Sequence, residues 1–274
     1  MDSPSNNSSP VGRIIPVLIF FAGLIGLFYL YQYLFGPKTG VTYPLITVNQ
    51  SADKKIEISS DKIPSLFEGG EFTVSTWIYI NNWSLRDKYN KHILSIGGKN
   101  FDTIRIYIGK YKPKLSVRLH TKETGAVTNG VSKSPTPTDA LDSASVSKTF
   151  EDATPDSELL DSTPMCDLPE VDLQRWVNLT VAVNGKTVDV YLDGKLSRSC
   201  VLPALFKVDT SYQATLLDHG GFGGQISNTT MYDVALNPEA VYKNYMAGPE
   251  PITTIGGWFS AFFAPGVSIS VSTK

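Results

Sequence analysis

RWVNLTVAVNGKTVDVYLDGKL, residues 175–196, alternates apolar and polar side chains on both sides of Asn184-Gly185. Val177, Leu179, Val181 and Val183 fall on one face of an extended chain, and Asn178 and Thr180 on the other. That is the period of a half-buried strand. Asn-Gly between two such runs is the strongest short-range hairpin signal. The stretch therefore reads as two antiparallel strands. It also brings the neighbourhood of Cys166 to within a few residues of Cys200, the two cysteines of the chain. A disulfide between them would contribute on the order of 3 kcal/mol; the alternative is two buried thiols in a reducing compartment.

The same signals recur outward from this hairpin. Candidate strands are VTYPLITVN (41–49), KKIEIS (54–59), EFTVSTWIYI (71–80), HILSIGG (92–98), TIRIYIGK (103–110), KLSVRLHT (114–121), KLSRSCVL (195–202), YQATLL (212–217) and GQISNTTMYDVAL (224–236). They are short and β-branched or aromatic, with Gly, Asn, Asp and Pro between them, a spacing that indicates an all-β sandwich or barrel. On 71–80, Phe72, Val74, Ile78 and Ile80 share a face, and Trp77 points the other way unless a bulge intervenes. The second face of that sheet is therefore expected to be partly covered, or to form a concave floor. One helix is expected after the last strand: Asn237 as N-cap, Pro238 at N1, and Gly248-Pro249 as the stop. Val241, Tyr242 and Tyr245 share the face expected to pack on the sheet.

Three segments break the β pattern. Ile14 to Phe35, IIPVLIFFAGLIGLFYLYQYLF, is one uncharged apolar run between Arg13 and Gly36-Pro37-Lys38. A span needs about 20 such residues, so 14–35 reads as an N-terminal transmembrane helix behind a polar leader, 1–13. A cleaved signal peptide would carry a basic leader, a shorter apolar stretch and a small-residue cleavage site. This run instead ends in Tyr31, Tyr33, Leu34 and Phe35, and Tyr29, Tyr31 and Tyr33 suit an interfacial aromatic belt. Lys38, Lys54 and Lys55 against Arg13 argue for the C-terminal side inside. The sequons at Asn49, Asn82, Asn178 and Asn228 and the cysteine pair argue for an exoplasmic domain. The second segment, 123–172, is a Ser/Thr/Pro-rich insertion with an acidic latter half, long enough to be functional or disordered. The third, 249–274, is an aromatic tail: Ile255, Trp258, Phe259, Phe262 and Phe263 fall on one helical face. It is expected to lie in the membrane interface, contact a partner, or pack on the chain's own sheet.

About 235 residues remain beyond the anchor, enough for one large all-β domain or two small ones. The formal net charge of −2 offers no basic field for nucleic acid.

The order FTVSTWIYI (72–80), HILSIGG, LSVRL, then 175–196, then GGFGGQISNTTMYDVALNPEAVYKNY (220–245) resembles the concanavalin A-like lectin/glucanase superfamily. Its laminin-G-like and pentraxin-like branch is the nearest. The motif W-x-x-L-x-V-x-x-x-G-x-x-V-x-x-Y-x-D-G and the ending F-x-G-x-I…Y-x-x-A-L-x-x-x-x-V carry the resemblance over about 41–248, the insertion apart. It implies an all-β, concanavalin A-like jelly-roll sandwich of two antiparallel sheets. Function is weakly implied, because this fold hosts lectins, glycosidases and adhesion modules.

Each family activity can be tried on these residues. Glu170-Val171-Asp172-Leu173-Gln174 begins like the family's catalytic motif but has Gln174 where a carboxylate is needed, so a retaining pair is incomplete. A glycoside hydrolase is therefore the third reading, and no enzyme is expected. Calcium, common in the family, would have Asn100, Asp102 and Asp218 as its oxygen ligands, each also readable as a turn residue. His92, His120 and His219 are isolated and read as satisfied or surface histidines. A sugar would use the polar loop NNWSLRDKYNK (81–91), with Trp83, Arg86, Tyr89 and Asn90 as ligand-binding candidates; the alternative is that Trp83 caps the core. The leading expectation is a single-pass membrane glycoprotein displaying a non-catalytic lectin-like domain for a glycan or protein partner. The runner-up is a structural membrane or minor capsid protein of a large DNA virus virion, assembling through the tail with copies of itself or other proteins.

Overall fold

The computed structural model describes residues 10–35, 40–121, 141, 146, 149–151 and 166–250. The chain divides into two units, Met1–Lys38 and Thr39–Lys274.

The first unit contains helix α1, Pro10–Phe35, with Pro16 inside it. At 1.5 Å per residue its backbone is about 39 Å long. Its described side chains, among them Leu18, Phe20, Phe21, Leu27 and Phe28, are exposed. Among the described residues, no helix is long and apolar enough to cross a membrane.

The second unit is a sandwich of two antiparallel sheets. The larger runs in the order β1 (Thr42–Ile46), β12 (Gly223–Tyr232), β4 (Glu71–Asn82), β8 (Trp176–Asn184), β9 (Thr187–Leu192) and β10 (Lys195–Val201). The two-residue β2 (Gln50–Ser51) also pairs with β12. The smaller sheet runs β3 (Ile56–Ile58), β11 (Gln213–Leu216), β5 (Lys91–Gly97), β6 (Asp102–Ile108) and β7 (Leu115–Leu119). The core lies between them. Phe72, Val74, Ile78, Ile80, Val177, Leu179, Val181 and Val183 enter from one side, and Leu94, Ile96, Ile104, Ile106, Ile108 and Val117 from the other. The alternation expected on β4 and β8 is thus the alternation observed, and only β2 has no counterpart among the sequence-based strands.

The turns follow local chemistry with one shift. Asn184 pairs with Thr187, so the loop residues are Gly185 and Lys186, one position later than the sequence suggested. Of these only Gly185 has positive φ, 57°, the pattern of a II′ rather than an I′ turn. The next hairpin is closed by Asp193 and Gly194, both left-handed, as an I′ turn requires.

The large sheet's outer face is covered by helix α2, Pro238–Met246, whose N-cap Asn237 accepts from the Ala240 N–H at 2.8 Å. Ala240 and Val241 pack with Ala182, Tyr191 and Leu236. Trp77 points outward and stacks on Tyr245, centroids 5.6 Å apart. Tyr242, expected on the packed face, is 49% exposed instead. Helical spacing put it beside Val241, but the helix rests on Ala240, Val241 and Tyr245.

The insertion is narrower than 123–172. Leu168 exchanges both backbone hydrogen bonds with Leu115 on β7, and Val171 donates to the Pro113 carbonyl. Residues 166–172 therefore belong to the sandwich, because they satisfy an edge that would otherwise be open. Cys166 and Cys200 form a disulfide, Cα atoms 5.8 Å apart. It ties this edge segment to β10.

Candidate functional site

The described surface has an open cleft of about 470 Å³ where the ends of β4 and β12 meet the β1–β2 turn. It is lined by Asn49, Gln50, Asn81, Asn82 and Gln225, with Ser51, Asp53, Leu85 and the Phe222–Gly224 backbone. A side chain at Gly223 would put its Cβ 2.1 Å from the Asn82 carbonyl oxygen, and one at Gly224 would put it 1.9 Å from that of Tyr79. Only glycine lets β12 approach β4 here. The Asn49 amide donates to Gln225 Oε1 at 3.1 Å, and Asn82 Oδ1 accepts from the Ser84 N–H at 3.1 Å. Each amide offers two donors and an acceptor, so the lining is rich in neutral groups suited to hydroxyls. The one carboxylate is Asp53, held below its usual range mainly by a hydrogen bond from Ser51.

In the loop 81–91, Trp83, Arg86 and Tyr89 are partly exposed and Asn90 is buried; Trp83 takes the alternative position, against the core. Trp83 is half-buried against the core, and the Lys91 ammonium sits 3.9 Å over its ring. Burial pushes the Lys91 pKa down to about 8. Arg86 lies 4.9 Å over the Tyr89 ring, and its Nη2 donates to the Phe150 carbonyl. Asn90 is buried and donates to the Thr149 carbonyl at 2.8 Å. Arg86 and Asn90 thus grip the chain itself, a use that no local pattern could reveal because the partner lies about sixty residues away in a segment of turn-like composition.

Each of the three calcium candidates has a protein partner of its own. Asn100 donates to Asp209 at 3.0 Å, Asp102 pairs with Arg105 at 2.6 Å, and Asp218 pairs with Lys55 at 3.1 Å. Among the described residues no group of three His, Cys, Asp or Glu could hold a metal ion. Glu170 and Asp172 stand in the loop before β8, with Asp172 bound to Arg175 at 2.7 Å. His92 is buried, and its Nδ1 accepts from the Asp218 N–H at 3.0 Å. His120 stacks on Phe101 and His219 on Phe150.

The sequons divide. Asn49 and Asn82 are exposed, and both line the cleft. Asn178 is fully buried within β8, so its sequon is closed once the sheet forms; Asn228 donates to the Gly248 carbonyl at 3.0 Å. The tail residues Ile255, Trp258, Phe259, Phe262 and Phe263 lie outside the described residues.

No family model and no curated sequence matches the chain. Among solved structures it is similar to the botulinum neurotoxin serotype D ligand-binding domain in complex with N-acetylneuraminic acid, at 14% identity, TM-score 0.46, over 74% of this chain and 43% of that one. It is also similar to the receptor-binding domain of botulinum neurotoxin D, at 14% identity, TM-score 0.47, over 74% and 45%. Trypanosoma rangeli sialidase matches at 10% identity, TM-score 0.37, over 65% and 23%. The chain spans less than half the length of each of these proteins.

Proposed function

We propose that the chain is a membrane-tethered, non-catalytic lectin-like protein whose sandwich binds a neutral glycan in the amide-lined cleft. The observation that carries this reading is the convergence of Asn49, Gln50, Asn81, Asn82 and Gln225 on one open cleft over a glycine-only strand crossing. Side-chain amides match the paired donor and acceptor needs of vicinal hydroxyls. Helix α1 would be the anchor: its exposed Leu, Ile and Phe side chains are what lipid would cover, and the helical backbone is long enough for the roughly 30 Å hydrocarbon core. The disulfide supports an exoplasmic sandwich. Concanavalin A-like relationship is supported by the strand order, in which the first strand lies beside the last.

The cleft carries its own competitor. An N-glycan on Asn49 or Asn82 would fill it, so ligand binding and sequon occupancy exclude each other. The test is a glycan array probed with the full chain in detergent, before and after enzymatic removal of N-glycans. Asn81→Ala and Gln225→Ala should each weaken binding about tenfold, the value of a hydrogen bond or two. If the deglycosylated chain binds no glycan, the reading fails.

A further inference from the structure

The outer face of the five-stranded sheet is polar and yet buried. Arg105 is 1% exposed, Thr103 0%, His92 2% and Tyr107 5%. A face made for permanent cover seldom carries charge, because dehydrating a guanidinium or an imidazole is costly by several kcal/mol. Here burial drives the His92 pKa down to about 3 and raises that of Asp102 in spite of its Arg105 partner.

Phe150 lies over this face. Its ring stacks on His219 at 5.1 Å, meets the edges of His92 at 5.1 Å and Tyr107 at 5.5 Å, and has the Arg105 guanidinium 5.7 Å away. Its backbone is held by side chains: Arg86 donates to the Phe150 carbonyl and Asn90 to that of Thr149. Arg105 reaches the Thr149 hydroxyl at 3.3 Å, and the Glu151 carboxylate lies 3.4 Å from His219. Among the described residues, Arg86 Nε and Asn90 Oδ1 are buried without partners. Arg86, Leu217 and His219 are all left-handed, at φ 58°, 58° and 53°. Strained backbone and unpaired polar atoms concentrate at ligand clamps. A ring slot, side chains gripping backbone carbonyls and a basic contact for an acid are the means by which a surface holds an extended peptide.

We propose that this pocket is a peptide-binding site for an aromatic residue followed by a carboxylate. In the chain alone it is filled by Thr149–Phe150–Glu151, and a partner protein's segment of the same chemistry displaces them. No residue of the pocket lines the amide cleft, so the two sites are independent.

The probe is a fluorescent synthetic peptide with the sequence of residues 145–155, titrated by anisotropy into the full chain in detergent. The tethered segment competes at an effective concentration of about millimolar, so the natural chain should bind at least about tenfold more weakly than the Phe150→Ala chain. A peptide with alanine in place of the phenylalanine should not bind, and Arg86→Ala/Asn90→Ala in the Phe150→Ala background should abolish binding. Should Phe150→Ala fail to fold, Glu151→Lys, at an exposed position, is the second variant; it should raise peptide affinity several-fold. A folded Phe150→Ala chain that ignores the peptide, or binds the alanine peptide equally, overturns the proposal. So does an unchanged affinity in Glu151→Lys.

Discussion

The outer face of the seven-stranded sheet lies under α2, and the outer face of the five-stranded sheet lies under Phe150. Beneath α2 a network of neutral polar groups lies beside the tyrosines Tyr191 and Tyr232. Ser75 Oγ meets Thr180 Oγ1 at 2.9 Å, Thr180 donates to Asn178 Oδ1 at 3.2 Å, and Trp77 stacks on Tyr245. Beneath Phe150 lie the Arg105 guanidinium and the His92 imidazole, and Thr103 Oγ1 has no partner among the described residues. A cover that remains in place can afford a closed neutral network, whereas a buried guanidinium and imidazole regain hydration whenever their cover leaves. The comparison therefore separates a permanent layer of the fold from a displaceable one.

The largest expected difference is in truncating the two covering contacts. Trp77→Ala should destabilise the domain by about 3 kcal/mol, the usual cost of an aromatic deletion in a packed site. Phe150→Ala should cost only about 1 kcal/mol, because rehydration of Arg105 and His92 offsets the lost ring burial. Urea unfolding of both variants measures this, and equal losses would erase the distinction between the faces.

Acid should act next, and on one face. His92 has a folded pKa of about 3 against 6.5 unfolded, with burial as the main cause; Asp218 pulls it up, and Arg105, His219 and Lys55 push it down. The unfolded chain therefore takes the proton first. This contribution is complete above about pH 6.5 and declines as pH falls toward 3, by about 2 kcal/mol at pH 5. Asp102, whose pKa is raised by burial, works the other way: its ionised form is disfavoured in the folded state, so acid relieves it. Hydrogen exchange at pH 5 should show residues 149–151 and β6 losing protection before β8. His92→Gln should flatten the pH dependence of stability; a variant as acid-sensitive as the natural chain would assign the effect elsewhere.

The smallest effects concern single hydroxyls. Ser75→Ala should cost about 1 kcal/mol, since it breaks a closed network under α2. Thr103→Val should be neutral or stabilise by up to about 1 kcal/mol, since it removes an unpartnered buried hydroxyl. Thermal melts of the two variants compare the faces directly, and a destabilised Thr103→Val would mean that this hydroxyl is satisfied after all.

Much of the fold was legible because its signals are local. The alternation on 175–183 and 71–80, the Asn184-Gly185 hairpin signal, which falls one residue before the loop itself, and the cap at Asn237 each act over a few residues. Even Trp77 could be read as facing away from the core, which anticipated a second layer. The candidate sites were less legible. Trp83, Arg86, Tyr89 and Asn90 lie in a polar loop that looks like a binding surface, and two of them do bind, but to a carbonyl pair about sixty residues later. The amide cleft is assembled from three segments, 49–53, 81–85 and 222–225. Each carries a local mark, the sequons at Asn49 and Asn82 and the F-x-G-x-I run from Phe222, but none of these marks records that the three segments meet.

By itself, the sequence determined an uncharged apolar run at the N-terminus, a chain of short alternating strands, their hairpin partners and the helix that follows them. Periodicity and turn chemistry are encoded within a turn or a strand length. Only the tertiary structure decided which outer face receives which cover, which polar loop is spent on the chain's own backbone, and where the amides meet. Those outcomes depend on contacts between residues tens to hundreds of positions apart, and no local pattern records the free energy of such a contact.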